Sequence, residues 1–474
     1  NFLYPIRQIL TTTNEMGYFE FVTSNTSMTI VFFYPSYAVA EQEVTITNDL
    51  VIDEILEPLS EEMDEVVVKA QRAKVFALKR LKDVEGTAIF AGKKTEVILL
   101  DQSTASLATN NARQIYNQVA GLNIYENDDA GLQLNIGGRG LDPNRTSNFN
   151  TRQNGYDISA DVLGYPESYY TTPAEALKEI QIIRGAASLQ YGTQFGGLVN
   201  FKIKDPEEDK ELSLITRNTL GSFNLFTNFT SLSGTVNKFS YYSYFNYKKG
   251  DGFRSNSEFE SKNVFGHFGY QFNDKTRLAA EITYMRYLAQ QAGGLTDTMF
   301  ENDPFQSNRT RNWFQVDWLL YNLKLEHQFS ENTNASLSFF GLDASRYAIG
   351  FRTNRVDQVD DLNEPRDLLK GNFSNYGLEA RLVSNYKISD KKATFLVGAK
   401  FYNANNDALQ GPGSNGIDPN FDLQNDDFPN YPNQSAFDFP NLNVALFGEH
   451  IFYFSDKLSV TPGIRYEYIK TKLS

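Results

Sequence analysis

At 474 residues the chain is too long for one ordinary domain, and its formal net charge of −14 argues against nucleic acid as a partner. It has no cysteine, which excludes a disulfide framework and any thiolate metal site. Aromatic residues reach 14%, with 27 Tyr and 37 Phe, yet mean hydropathy is polar and no run of about 18 apolar residues occurs, so a helical membrane protein is excluded. A transmembrane β-barrel passes that test, because its strands alternate lipid-facing and lumen-facing residues and aromatics gather at both interfaces. A soluble Tyr-rich β protein would share this composition, so the order of the elements has to decide.

The first residues show neither the basic start nor the apolar core of a signal peptide, which fits a processed chain or a fragment. Short strands are expected at residues 18–22, 29–34, 43–47 and 51–56. With the turn and strand of residues 13–19, residues 1–61 resemble a small β-sandwich of the carboxypeptidase-regulatory type, lacking its first strands and serving as a spacer. Residues 62–72 form an acidic linker that ends in a short apolar strand, Asp64, Glu65, Val66, Val67 and Val68. Taken alone, this is an ordinary strand end.

Over residues 73–204, Asn110 or Asn111 can cap a short helix that carries Ile115 and Val119 on one face and stops at Gly121. A strand is expected at residues 132–136, ending in Gly137-Gly138-Arg139-Gly140. The following 37 or so residues, rich in Asn, Ser, Thr, Pro and Tyr, read as long loops. Two strands then flank a glycine-rich loop, at residues 179–184 and 198–204. In the second, Val199, Phe201 and Ile203 share one face and Asn200, Lys202 and Lys204 the other.

Arg184-Gly185, Tyr191-Gly192 and Gly196-Gly197-Leu198-Val199-Asn200 resemble the end of the plug domain of TonB-dependent outer-membrane transporters, in that order and spacing. Arg139-Gly140-Leu141, Pro143, Thr146-Ser147, Gly155 and Tyr165 are most similar to the ferric-dicitrate receptor type. One departure is Asn154, where the family commonly has an acid before the glycine. The resemblance also recasts residues 64–68 as a TonB box, an extended peptide that an inner-membrane energy-coupling protein captures by strand addition. An unpaired strand offers its backbone to an edge whatever its side chains.

Beyond residue 204 two regularities indicate a barrel. Residues alternate with period two: Leu278, Ala280, Ile282 and Tyr284 oppose Arg277, Glu281 and Thr283, and similar pairs recur near 321–326 and 457–467. Connections alternate too, with brief polar turns near 273–275, 330–333, 389–392 and 455–457, and long loops near 249–261, 288–312, 350–372 and 406–441. Short periplasmic turns and long extracellular loops produce that asymmetry. Roughly eleven strands fit, against about 22 for plugged transporters, so truncation at both ends is expected.

The expected fold is therefore mainly β: a small N-terminal β-sandwich (1–61), a TonB-box-like linker (62–72), an α+β plug domain (73–204), and about half of a 22-stranded transmembrane antiparallel β-barrel (205–474). No nucleophile elbow, HExxH pair or Walker loop is present, so no enzyme is expected. His267, His327 and His450 lie on different strands without ligand spacing, which favours structural roles over metal binding.

The resemblance implies active import of a ferric chelate, ferric citrate or another siderophore, across the bacterial outer membrane. The partners would be the TonB energy-coupling complex, the chelate and outer-membrane lipid, with the N-terminal domain in the periplasm. Iron would arrive inside its chelator, so no cofactor is needed. Guanidinium groups suit the carboxylates of such a ligand, and the candidate contacts are Arg145, Thr146 and Arg152 in plug loops with Arg309, Arg311, Arg352 and Arg355 in barrel loops. For each arginine the plain alternative is a surface loop residue. Glycan fragments or cobalamin are alternative cargoes, although glycan importers of the family usually have a Lys-Asp-Ala-Ser-type run where this chain has Arg184 to Ser188. A passive porin or surface adhesin is the alternative from another class.

Overall fold

The computed structural model describes residues 11–14, 17–32, 40–56, 78–126, 128–162, 165–184, 189–192, 196–353, 355–455 and 457–472. The chain divides into two compact units, residues 1–74 and 75–474. In the first, β1 (Ser27–Phe32) and β2 (Ala40–Thr45) form an antiparallel pair that buries Ile30 and Val44. These are two of the four expected strands. Residues 18–22 and 51–56 form none, and Val22 and Val51 stand almost fully in solvent. Asp64, Glu65, Val66, Val67 and Val68 lie outside the described residues.

The second unit opens with short strands β3 (Val84–Glu85), β4 (Ala88–Ile89) and β5 (Lys94–Leu99). Helix α1 (Ala112–Ile115) is capped at its start as its sequence requires, the Asn111 side chain accepting from the Gln114 N–H at 2.9 Å, but it ends at Tyr116, short of the expected stop at Gly121. Ile115 and Val119 are both buried, Val119 beyond the helix, and Gly121 takes a left-handed φ of 71°. Next come β6 (Leu122–Tyr125) and β7 (Asn135–Gly138), which pair with each other. The strand expected from residue 132 starts three residues late, because the Asp128 carboxylate binds the N–H groups of Leu132 and Gln133 in place of a neighbouring strand.

The stretch expected to be loop contains β8 (Phe149–Gln153), β9 (Tyr156–Asp157), β10 (Ala160–Val162) and β11 (Tyr165–Glu167). β10 and β11 pair with each other, while β8 and β9 join β5, β12 (Leu177–Arg184) and β13 (Gly197–Ile203) in a central sheet of order β5-β12-β13-β8-β9, in which β8 and β13 run parallel. Every residue of β8 is buried although its sequence, FNTRQ, is mostly polar. Hydrophobic periodicity cannot reveal a strand whose side chains are satisfied by a polar surrounding wall.

That wall is a single antiparallel sheet: β14 (Ser213–Leu220), β15 (Phe226–Val236), β16 (Phe239–Gly250), β17 (Phe259–Asn273), β18 (Thr276–Gln290), β19 (Trp313–Ser330), β20 (Thr333–Gly350), β21 (Asp367–Ile388), β22 (Lys391–Pro412), β23 (Ser435–Ser455), β24 (Leu458–Val460) and β25 (Gly463–Thr471). β24 and β25 both pair with β23 and are one strand broken at Pro462, so the twelve segments make eleven crossings. The sheet is open, and β14 and β25 do not pair among the described residues.

Turns of two residues join the strands at one end, at 237–238, 274–275, 331–332 and 389–390. At the other end the connections are residues 221–225, 251–258, 291–312 (containing α2, Asp297–Asn302), 351–366 and 413–434. The last two are shorter than expected, because β21, β22 and β23 run on past the span of a bilayer.

The faces of this sheet invert the usual rule. Val264, Ile282, Leu323, Leu337, Leu378 and Val397 are exposed on the outside, while Asn263, Asn322, Glu379, Arg381, Lys400 and Glu449 are buried on the inside against the plug. Aromatic residues flank the outer band, Tyr284, Tyr321 and Tyr376 on one side and Tyr270, Phe329 and Tyr386 on the other. Tyr376 and Tyr386 lie about ten residues apart on β21, which at ~3.4 Å per residue and a tilt near 40° gives about 25 Å, the height of a lipid-facing band.

Candidate functional site: the plugged lumen and its outer rim

Two glycines let the plug close on itself. Gly197 has φ 123°, and a Cβ there would lie 2.4 Å from the Ile183 carbonyl oxygen; at Gly196 a Cβ would lie 2.6 Å from that of Asn148. Asn200 accepts from the Gly155 N–H at 2.9 Å and donates to Gln181 at 2.8 Å, joining β13 to β12 and to the turn between β8 and β9. Arg184 pairs with Glu96 at 2.8 Å and donates to the Ala120 carbonyl at 2.6 Å. Arg139, with φ 60°, and Gly140 are exposed at the end of β7. Gly192 takes a φ of 87°, and Gly185 lies outside the described residues.

The plug meets the wall through polar groups. Arg152, almost fully buried, donates to Asn150 at 2.8 Å and to the Gly155 carbonyl at 2.7 Å, and stands 3.9 Å from Glu379 on β21. Arg381, also on β21, donates to that same Glu379 at 2.6 Å and to plug Gln190 at 3.1 Å. The Tyr191 ring contacts both guanidiniums, at 4.6 Å from Arg152 and 4.7 Å from Arg381, which gives the Tyr-Gly motif a cation–π role at the seal.

Gln153 donates to Thr283 on β18 at 3.0 Å, and Trp318 on β19 donates to the Ile158 carbonyl at 3.3 Å. Asn154 donates to Glu281 on β18 at 2.8 Å, and His267 holds the same carboxylate oxygen at 2.9 Å. That explains the departure noted at position 154: an aspartate there would face the wall glutamate, whereas an amide bonds to it. Lys93 pairs with Glu449 on β23, and burial lowers its pKa against the pull of that carboxylate. Burial raises the Asp128 carboxyl, in spite of the N–H groups of Gln133, Leu132 and Gly131 that it accepts.

Thr146, expected as a ligand contact, is in the plug core, where its hydroxyl donates to the Leu134 carbonyl and accepts from the Ile136 N–H. Arg145 lies in the single helical turn of Asn144–Thr146. Its side chain is outside the described part.

Arg309 and Arg311 are buried among the outer loops. Arg309 donates to the carbonyls of Asn308 at 2.7 Å and Gln358 at 3.2 Å and lies over the Phe351 ring. Arg311 grips Asp360 with two hydrogen bonds, of 2.7 and 2.6 Å, and donates to the carbonyls of Asp361, Glu364 and Asn415. These contacts use all five of its N–H groups. Arg352 and Arg355 are exposed on the 351–366 loop, Arg352 lying 3.8 Å from Asp367. Sequence reasoning missed Arg366, which is fully buried between loops. Burial lowers its pKa to about 10, so it remains a cation at neutral pH. No spacing signal distinguishes it from the other loop arginines.

The profile of the TonB-dependent receptor plug domain matches residues 93–198, and that of the TonB-dependent receptor-like β-barrel matches residues 265–473. No curated protein matches the sequence. Among solved structures the chain is similar to the ferric citrate transporter FecA in unliganded form, at 18% identity and TM-score 0.69, covering 84% of this chain and 60% of that one. It is also similar to BauA, the ferric preacinetobactin receptor of Acinetobacter baumannii (16%, TM-score 0.63, 82% and 60% covered), and to Fiu, the ferric-catecholate import receptor of E. coli K12 (14%, 0.62, 84% and 63%). The chain thus spans about 60% of the length of these relatives. With both profiles matched in order, and with a mixed sheet packed against the polar face of an antiparallel wall whose other face is apolar, the chain belongs to the TonB-dependent receptors, as a plug domain followed by strands of the β-barrel.

Proposed function

We propose that the whole protein imports a ferric chelate across the bacterial outer membrane, driven by the TonB complex. The observation that carries this reading is the plug packed against a polar lumen wall: a passive pore has no use for an internal domain held by buried ion pairs and amides. A TonB-dependent receptor is not an enzyme, and the buried polar groups here hold a seal. The linker with Val66, Val67 and Val68 would be the peptide that TonB captures, and the N-terminal unit would lie in the periplasm. Iron would enter within its chelator, without protein ligands.

Ferric citrate is the cargo we favour within this class. Its carboxylates suit guanidinium forks, and Arg145, Arg352 and Arg355 are the candidates to contact it. Arg152, Arg309 and Arg311 would support those contacts from behind, since their donors already serve the plug seal and the loops. At 18% identity or less, the likeness to FecA is one of fold, so the choice of cargo rests on this chemistry.

The test is uptake under iron limitation by cells carrying the full-length protein, with and without Val67→Pro, which removes a backbone donor from the strand TonB must pair. Loss of ferric citrate uptake with surface binding retained supports both class and cargo. Absence of both binding and uptake in the unaltered protein overturns the cargo, and transport that persists in the variant overturns the TonB box.

A further inference from the structure

The long loops at the outer end are tied by arginines whose partners are mostly backbone carbonyls on neighbouring loops. Arg254 in the 251–258 loop donates to the Gly293 and Gln306 carbonyls of the 291–312 loop, at 2.5 and 2.8 Å. Arg309 and Arg311 run from that loop to the next, 351–366, and Arg311 reaches Asn415 on the 413–434 loop as well. Arg366 is where the last three meet. It donates through Nε to the Ser414 carbonyl at 2.9 Å, through Nη2 to the Ser414 hydroxyl at 2.6 Å, and through Nη1 to the carbonyls of Arg311 at 3.0 Å and Asp418 at 2.8 Å. The Trp313 indole adds a bond to the Ile417 carbonyl at 2.8 Å.

A guanidinium offers five N–H groups in a fixed plane, which can join several carbonyls from different loops at fixed angles; a lysine cannot. We propose that Arg366 is a positioning residue for cargo capture, the hub that joins loops 291–312, 351–366 and 413–434 into one fixed rim. Arg352 and Arg355 stand on the loop it holds, so their placement toward a ligand depends on it. The capture role rests on the import reading given above; the rim itself does not.

The chain has no cysteine, so paired spin labels can be introduced at exposed positions, Asp357→Cys and Asp426→Cys, one on each of two loops. In the full-length protein the distance distribution between them is expected to be single and narrow, and in Arg366→Ala broad. Arg366→Lys keeps the charge without the fork and should lie between the two. Should Arg366→Ala fail to assemble, Ser414→Ala, which deletes one acceptor, is expected to broaden the distribution less. In uptake with ferric citrate as the probe, Arg366→Ala is expected to raise the apparent KM tenfold or more with the maximal rate within twofold.

A distribution unchanged in Arg366→Ala overturns the hub, and an unchanged KM beside a broadened distribution overturns its role in capture. Lack of ferric citrate uptake by the unaltered protein removes the capture role along with the cargo reading, and the label distances still decide the rim.

Discussion

At the scale of single residues, the seal depends on buried polar groups of the plug finding partners on the opposite wall. Asn154 is the clearest case, an amide set against the Glu281 carboxylate. Asn154→Asp would place two carboxylates in that contact and should destabilise the plug by roughly 1–3 kcal/mol at pH 7. Hydrogen exchange of the Gly155 and Tyr156 amides would report it, and protection equal to that of the native protein would contradict the assignment.

Asp128 tests the same logic by pH. Its folded pKa is raised above the ordinary 3.8, so its stabilising contribution is full below that value and is lost as pH rises through the folded pKa. The melting temperature of the native protein relative to Asp128→Asn should therefore increase as pH falls from 7 toward 4, and parallel curves would count against it. The glycine and Tyr-Gly positions were legible in the sequence because backbone conformation demands particular residues there. The roles of the arginines were not: Arg152, Arg309 and Arg311 were read as ligand contacts from residue type and loop position, and neither shows that Arg152 is engaged by Asn150 and Gly155 of its own hairpin, or Arg309 and Arg311 by acceptors on neighbouring loops.

At the scale of elements, the alternation that identified β18 and β19 from sequence works because each strand has one apolar, outward-facing side and one plug-facing side. Leu378→Lys on the outer band of β21 should cost about 2–4 kcal/mol of folding into bilayers, while Val359→Lys on an exposed outer loop should cost almost nothing. Equal assembly of the two variants would refute the lipid-facing assignment. Gly197→Ala, which places a methyl against the Ile183 carbonyl, should destabilise the plug by about 2 kcal/mol or more, as measured by its thermal unfolding.

Strands β8 and β9 were read as loop for the opposite reason. Asn150, Thr151, Arg152 and Gln153 are buried among polar groups of the plug and the wall, with which each makes hydrogen bonds, so they have no apolar side for a pattern to reveal. In the N-terminal unit two of four expected strands form; Val22 and Val51, in the other two segments, stay almost fully in solvent, so no burial rewards the pairing that β propensity favours there.

At the scale of the whole molecule, the polar-in, apolar-out wall and its packed plug suit the proposed import: in the whole protein the wall would provide a wet path and the plug would close it. Four of the short connections were visible in the sequence because tight turns need particular residues and conformations, as at Ser389 and Asp390, both with positive φ; the turn at 237–238 was not read, although Asn237 also has a positive φ. The most direct test is the ionic conductance of the full-length protein in a planar bilayer, compared with the same protein lacking residues 73–204. The intact protein is expected to stay closed, and removal of the plug to open a large, steady conductance. An intact protein that conducts as freely as the deletion would contradict it and return the chain to the passive porins.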